Sequence, residues 1–204
     1  MMEALTDAAF LIVDLQNDFC PGGALGVNRG DEIIPVINQL QKIFPLVVAT
    51  QDWHPAGHIS FQEQGGPWPP HCMQNTFGAA FHSELNQQRI RNIFRKASAK
   101  EKDAYSSFEG IDSQERSLNE YLKANGARKI YIAGLATDYC VKATALDGLK
   151  LGYEVYVFTD AVRAVEVQPG DSEKAFNEMI AAGAKIIDSR AILNLRRKAQ
   201  IAGE

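Results

Sequence analysis

The sequence predicts an α/β protein, a single doubly wound domain over residues 1–204 with a six-stranded, mostly parallel sheet and helices on both faces. Three observations carry this. Six short β-rich runs recur along the chain, most of them nearly continuous in apolar residues, as strands buried on both faces are. Stretches with apolar residues at helical spacing alternate with them. No internal repeat, low-complexity tract or linker divides the 204 residues, which suffice for one substantial core.

The elements follow in order. The first strand is read at Ala9–Val13 and the second at Leu46–Thr50. Between them, Asp31–Phe44 carries Ile33, Ile34, Ile37, Leu40 and Ile43 at helical spacing, with Pro35 in the first turn, where it is tolerated. The third strand is Asn92–Arg95. Asp112, followed three residues later by Glu115, reads as a capping pair for a helix that runs through Leu118, Tyr121 and Leu122 to a Gly126 stop. A fourth strand at Lys129–Ala133 leads to a helix from about Asp138 to Leu151, with Val141, Ala145 and Leu149 on one stripe. Strand five is Glu154–Phe158, then a helix Asp171–Ala182 ends before Gly183, and strand six is Lys185–Asp188. The basic run Leu195–Lys198 reads as a solvated helical end. The longest irregular region, Trp53 to about Gly78, is rich in Gly, Pro, His and Trp; such a stretch inside a compact domain is usually functional.

Composition narrows the function classes. A formal charge of -4 and the lack of a basic stripe argue against nucleic-acid binding. No apolar run approaches the ~20 residues needed to cross a bilayer, and Met1–Asp7 has no basic n-region, so a cytoplasmic protein without membrane partners is expected. Cys20, Cys72 and Cys140 are an odd number without a CxxC pair, which fits reduced thiols. A homodimer is compatible with the sequence.

Ligands of open α/β sheets bind outside the carboxyl ends of the strands. Here those ends offer Asp14, then Asp52 and His54, then Lys96, and finally Gly134-Leu135-Ala136 followed by Cys140. Cys140, at the start of a helix, is the candidate nucleophile. Free N–H groups there and a nearby Lys96 ammonium would lower its pKa, and Asp14 would take the thiol proton. Asp52 and His54 are two apart, so in an extended segment they point to the same side. His71, from Trp68-Pro69-Pro70-His71, would complete a carboxylate and two imidazoles, a set that suits Zn²⁺ or Fe²⁺ with waters. His58 is an extra ligand or a supporting partner; His82 has no assigned role. Phe19, Trp68 and Tyr139 lie beside these groups in sequence and would wall a pocket for a flat ring.

Asp14-Leu15-Gln16-Asn17-Asp18-Phe19, Asp52-Trp53-His54-Pro55, Trp68-Pro69-Pro70-His71-Cys72 and Gly134 to Cys140 resemble the nicotinamidase/pyrazinamidase branch of the isochorismatase-like cysteine hydrolases. The resemblance covers essentially the whole chain and implies the family's three-layer, Rossmann-like fold. It implies hydrolysis of nicotinamide to nicotinate and ammonia, and of pyrazinamide to pyrazinoate, through a cysteine thioester, as a step of NAD salvage. It makes Asp14, Lys96 and Cys140 the catalytic triad, and Asp52, His54 and His71 the ligands of one divalent metal that positions the pyridine ring. Zn²⁺ is the expected ion, with Fe²⁺ or Mn²⁺ as alternatives. The N–H groups of Ala136 and Cys140 would form the oxyanion hole, with Phe19, Trp68, Ala136 and Tyr139 against the substrate. A cis peptide is expected between Leu135 and Ala136. The chain departs from the family pattern at Asn75, where relatives have Gly, and at Ala97-Ser98, where Gly-Thr or Gly-Met is common.

Overall fold

Alternation along one strand sets the layering of the molecule. In the computed structural model, which describes residues 5–194, β1 (Ala8–Val13) sends Ala8, Phe10 and Ile12 into one core and Ala9, Leu11 and Val13 into another, all buried. A strand buried on both faces needs no polar positions, which is why it reads as an unbroken apolar run.

The other strands are β2 (Leu46–Asp52), β3 (Asn92–Lys96), β4 (Lys129–Leu135), β5 (Glu154–Arg163) and β6 (Lys185–Ile187). The sheet order is β3-β2-β1-β4-β5-β6, and every neighbouring pair is parallel. The chain builds outward from β1 to β3, then returns to the centre at β4 and builds the other way. The order therefore reverses between β1 and β4, and a crevice opens beyond their carboxyl ends.

Helices cover both faces. α1 (Ile34–Leu40) presents Ile34, Ile37 and Leu40 to the Phe10 face, where Phe10 stacks on Phe44 at 5.1 Å. The Leu11 face is closed by Leu118 and Leu122 of α2 (Leu118–Ala124), Ala145 of α3 (Lys142–Lys150) and Met179 of α4 (Asp171–Ala181). Each fully buried Leu, Ile or Met of this kind contributes about 1.5–3 kcal/mol.

The structure corrects several boundaries. The sheet is parallel throughout rather than mostly so, and β2, β3, β4 and β5 run to Asp52, Lys96, Leu135 and Arg163. The helix expected over Asp31–Phe44 is a 3₁₀ turn, Gly30–Ile33, followed by the shorter α1. α2 does not start at Asp112. Ser117 is its N-cap, in a reciprocal capping box with Glu120, while Asp112 closes a turn by accepting the Gln114 and Arg116 N–H groups. Both sites have Ser/Asp-x-x-Glu spacing, and the second lies next to the apolar run. The helix expected from Asp138 begins as a wide π-type turn, Thr137–Val141, before α3. The stretch from Trp53 to Gly78 holds only a 3₁₀ turn, Gln62–Gln64, and isolated bridges. Leu195–Lys198 lies outside the described residues.

Candidate active site

The strand ends bring together the side chains that carry chemistry. Asp14 follows β1 with φ 47°, a left-handed conformation that turns the chain sharply out of the sheet. Asp52 and Lys96 end the neighbouring strands in direct register. Cys140 sits on the π-type turn after β4, a feature often found at functional sites. Two anchors hold that turn: the Ala136 carbonyl accepts the Tyr139 and Val141 N–H groups, and the Asp138 carboxylate accepts those of Val165 and Glu166. Just before it, Gly134 has φ 123°, and a Cβ there would lie 2.0 Å from the Val13 carbonyl. Only glycine lets β4 pass so close to β1. The Leu135–Ala136 peptide is cis, as expected.

Lys96 is the hub. It is 1% exposed, and its ammonium donates to Asp52 Oδ1, to the Ala104 carbonyl at 3.2 Å and to Cys140 Sγ at 3.4 Å. Those three bonds use all its protons. Asp14 Oδ2 lies 3.0 Å from the same nitrogen, an ion pair without the alignment of a hydrogen bond, so it is the acceptor that Lys96 holds least firmly. Burial raises the Asp14 pKa, with the Asp52 charge acting the same way, while Lys96 and the Thr50 hydroxyl oppose them. Burial would raise Asp52 too, but Lys96 and His54 prevail and hold it below the ordinary carboxylate range. Burial works against the Lys96 charge, yet the two carboxylates push its pKa well up. The centre thus pairs one fixed cation with one strongly held carboxylate and one more basic one.

The thiol differs from the sequence expectation. Burial pushes the Cys140 pKa well up, reinforced by Asp14 and Asp52, and Lys96 only partly offsets this. Burial and the two carboxylates therefore work against the thiolate at Cys140, and Lys96 works for it. Cys20, pushed to about 11, and Cys72 are also raised by burial, but Lys96 donates a hydrogen bond only to Cys140.

Beside Asp14, Lys96 and Cys140, one atom each of Asp52, His54 and His71 lies within 4.8 Å of the others, all three residues buried. Asp52 Oδ2 is 3.5 Å from His54 Nε2 and 4.0 Å from His71 Nε2. His71 Nδ1 lies 2.8 Å from the Pro69 carbonyl, which can only accept, so Nε2 keeps its lone pair; burial lowers the His71 pKa and favours this neutral form. Both ring nitrogens of His54 are buried without a hydrogen-bond partner, and a cation bound beside Asp52 would satisfy the Nε2 lone pair. The donor set, one carboxylate and two imidazoles, fits a divalent metal. His58 is differently placed: its Nε2 faces the Lys102 carbonyl and its Nδ1 lies 2.7 Å from Ser60 Oγ, while its ring packs 4.2 Å from that of His54. It supports the cluster. His82 stands apart, accepting the Glu84 N–H.

The aromatic residues fall into two groups. Phe19 lies against His71 at 5.5 Å, and Trp68 meets Tyr139 edge-on at 5.1 Å. Tyr105, absent from the sequence reading, accepts the Trp68 indole N–H at 3.1 Å. Gln16 was also missed. Fully buried, its amide donates to the Asp52 carbonyl and accepts the Asp52 N–H, both at 2.8 Å, clamping the carboxylate residue's backbone. Its spacing from Asp14 was the only sequence signal.

An isochorismatase domain model matches residues 8–191. The chain belongs to the isochorismatase family. Within the family, it is 46% identical over 198 residues to the nicotinamidase of Escherichia coli (strain K12), covering 87% of this chain and 93% of that one. A pyrazinamidase of Pyrococcus horikoshii in complex with zinc superposes with a TM-score of 0.80 at 49% identity, over 89% of this chain and 99% of that one. A structure from L. infantum in complex with nicotinate gives 0.84 at 38% identity, over 91% and 94%. This isochorismatase-family chain has no helix among its described residues long and apolar enough to cross a membrane.

Proposed function

We propose that this protein is a nicotinamidase, which hydrolyses nicotinamide, and by the same chemistry pyrazinamide, to the acid and ammonia. The carrying observation is the meeting of Lys96, Cys140 and a free Asp14 oxygen beside the Asp52–His54–His71 cluster. Two of the relatives named above are a nicotinamidase and a pyrazinamidase by name and the third holds nicotinate, the acid product; the reaction belongs to NAD salvage.

Asp14 Oδ2 takes the Cys140 proton as Sγ attacks the carboxamide carbon. The negative charge that develops on the carboxamide oxygen is met by the N–H groups of Ala136 and Cys140. The C–N bond breaks, Asp14 returns its proton to the leaving nitrogen, and ammonia departs from a Cys140 thioester. Water then loses a proton to Asp14 and attacks the same carbon. The C–S bond breaks, the proton returns to sulfur, and nicotinate leaves. Lys96 keeps its charge throughout and holds Asp14 and Cys140 in reach of each other. Phe19, Trp68 and Tyr139 flank the pyridine ring. Asp52, His54 and His71 would hold the metal, a donor set that suits Zn²⁺ and Fe²⁺ alike, with Zn²⁺ favoured by the zinc complex of the Pyrococcus horikoshii relative. When bound, that ion supplies a Lewis-acidic anchor for the ring nitrogen, and its contribution is positioning.

The test is ammonia release from nicotinamide by purified protein, alongside Cys140→Ala. Release by the wild type and none by the variant is expected. A metal-loaded wild type that releases no ammonia would overturn the reading.

A further inference from the structure

The two carboxylate oxygens of Asp14 have different surroundings. Oδ2 is free of hydrogen bonds, whereas Oδ1 accepts the Thr50 hydroxyl at 2.7 Å. We propose that Thr50 is a positioning residue for the reaction: its hydroxyl pins Oδ1, so that Oδ2 stays turned to Cys140 and the substrate amide. This rests on Asp14 being the base assigned above.

The need for such a pin follows from the Asp side chain. Its terminal torsion has a broad, roughly two-fold profile, so little in the residue itself fixes the carboxylate plane. Lys96 supplies charge but no hydrogen bond, its three protons being taken elsewhere. The Thr50 hydroxyl, by contrast, makes a short, well-aligned hydrogen bond to the Asp14 carboxylate.

Thr50 is well placed to aim it. It lies on β2, two residues before Asp52 and so on the same strand face. It is β-branched, with restricted side-chain rotation, and fully buried. Behind it, the Ser107 backbone N–H donates to Thr144 Oγ1 and the Thr144 hydroxyl donates back to Ser107 Oγ, both at 2.9 Å. The Ser107 hydroxyl then reaches Thr50 Oγ1 at 3.5 Å, the longest link of the series. Each hydroxyl has one proton, and here each points one residue nearer to Asp14. A structural threonine would need only its shape, which valine reproduces. A pinning threonine needs its proton.

The experiment measures steady-state ammonia release from nicotinamide and bound metal per chain for wild type, Thr50→Val, Thr50→Ala and Thr50→Ser. Loss of a hydrogen bond to a charged group predicts a kcat roughly tenfold to a hundredfold lower for Val and Ala, with KM within about twofold and metal content unchanged. Thr50→Ser, which keeps the hydroxyl, recovers kcat to within about threefold. A Val or Ala variant with kcat within about twofold of wild type, or a Ser variant as slow as Val, would overturn the assignment. If Val fails to fold, the Ala and Ser variants decide alone. A silent wild type would instead contradict the nicotinamidase reading itself, an outcome distinct from an active enzyme indifferent to Thr50.

Discussion

Lys96 has three protons to give and four acceptors around it. Asp52, the Ala104 carbonyl and Cys140 take them, and Asp14 Oδ2 is left with an ion pair but no aligned hydrogen bond. That imbalance leaves a free acceptor on the proposed base without exposing it to water. Asp52 belongs to both halves of the site, bonded to Lys96 and facing both imidazoles. His54 touches only the metal half, so the two halves can be tested separately. His54→Ala is expected to lose most of its bound metal on dialysis against a weak chelator, while Cys140 keeps its wild-type rate of alkylation. Metal retained at wild-type level by His54→Ala would remove this residue from the ligand set. The meeting of Asp14, Lys96 and Cys140 beside Asp52, His54 and His71 was legible in the sequence because these residues lie at strand ends or in the loops and turn that follow them, where a reactive side chain is conspicuous. Thr50, Gln16 and Tyr105 were not, since each acts through partners 36 or 37 residues away along the chain. The burial that works against the Cys140 thiolate was not legible, because helix position and a nearby lysine are visible in sequence and burial is not.

The elements were legible as types and less so at their ends. Strands buried on both faces announce themselves, but where they stop depends on neighbours: β2 and β3 reach Asp52 and Lys96 because those residues pair with each other. The start of α2 shows two local signals in competition. Ser117 won the helix cap, and Asp112 instead gathers the Gln114 and Arg116 N–H groups, the Arg116 guanidinium and the Asn92 amide. Burial would raise the Asp112 pKa, but these donors hold it at about 2, below its ordinary 3.8. A carboxylate depressed in the folded state adds stability that is full above its unfolded pKa and is lost as pH falls through the folded value. Urea unfolding of Asp112→Asn is therefore expected to show lower stability than wild type at pH 5–7, with the gap narrowing from about pH 4 toward pH 2. A gap that stays constant over that range would show that the charge of Asp112 contributes nothing.

The whole molecule places this chemistry at one rim. Because the sheet order reverses between β1 and β4, the residues after these strands, Asp14 and Cys140, face each other across the crevice, while β2 and β3 bring Asp52 and Lys96 to its side. The close approach at Gly134 and the anchoring of the turn by Asp138 carry Cys140 into that space. Fold class and the location of the site at the strand ends were legible from alternation and composition. The reversal point was not, because strand order depends on pairings that no local pattern encodes. In the proposed reaction this rim makes and breaks a bond to Cys140. The direct measurement is mass spectrometry of enzyme acid-quenched during turnover of nicotinamide. A transient mass increase of one pyridinecarbonyl group is expected, mapped to the peptide containing Cys140 and absent from Cys140→Ala. Ammonia release by an enzyme that never carries this group, or carries it on another residue, would contradict it.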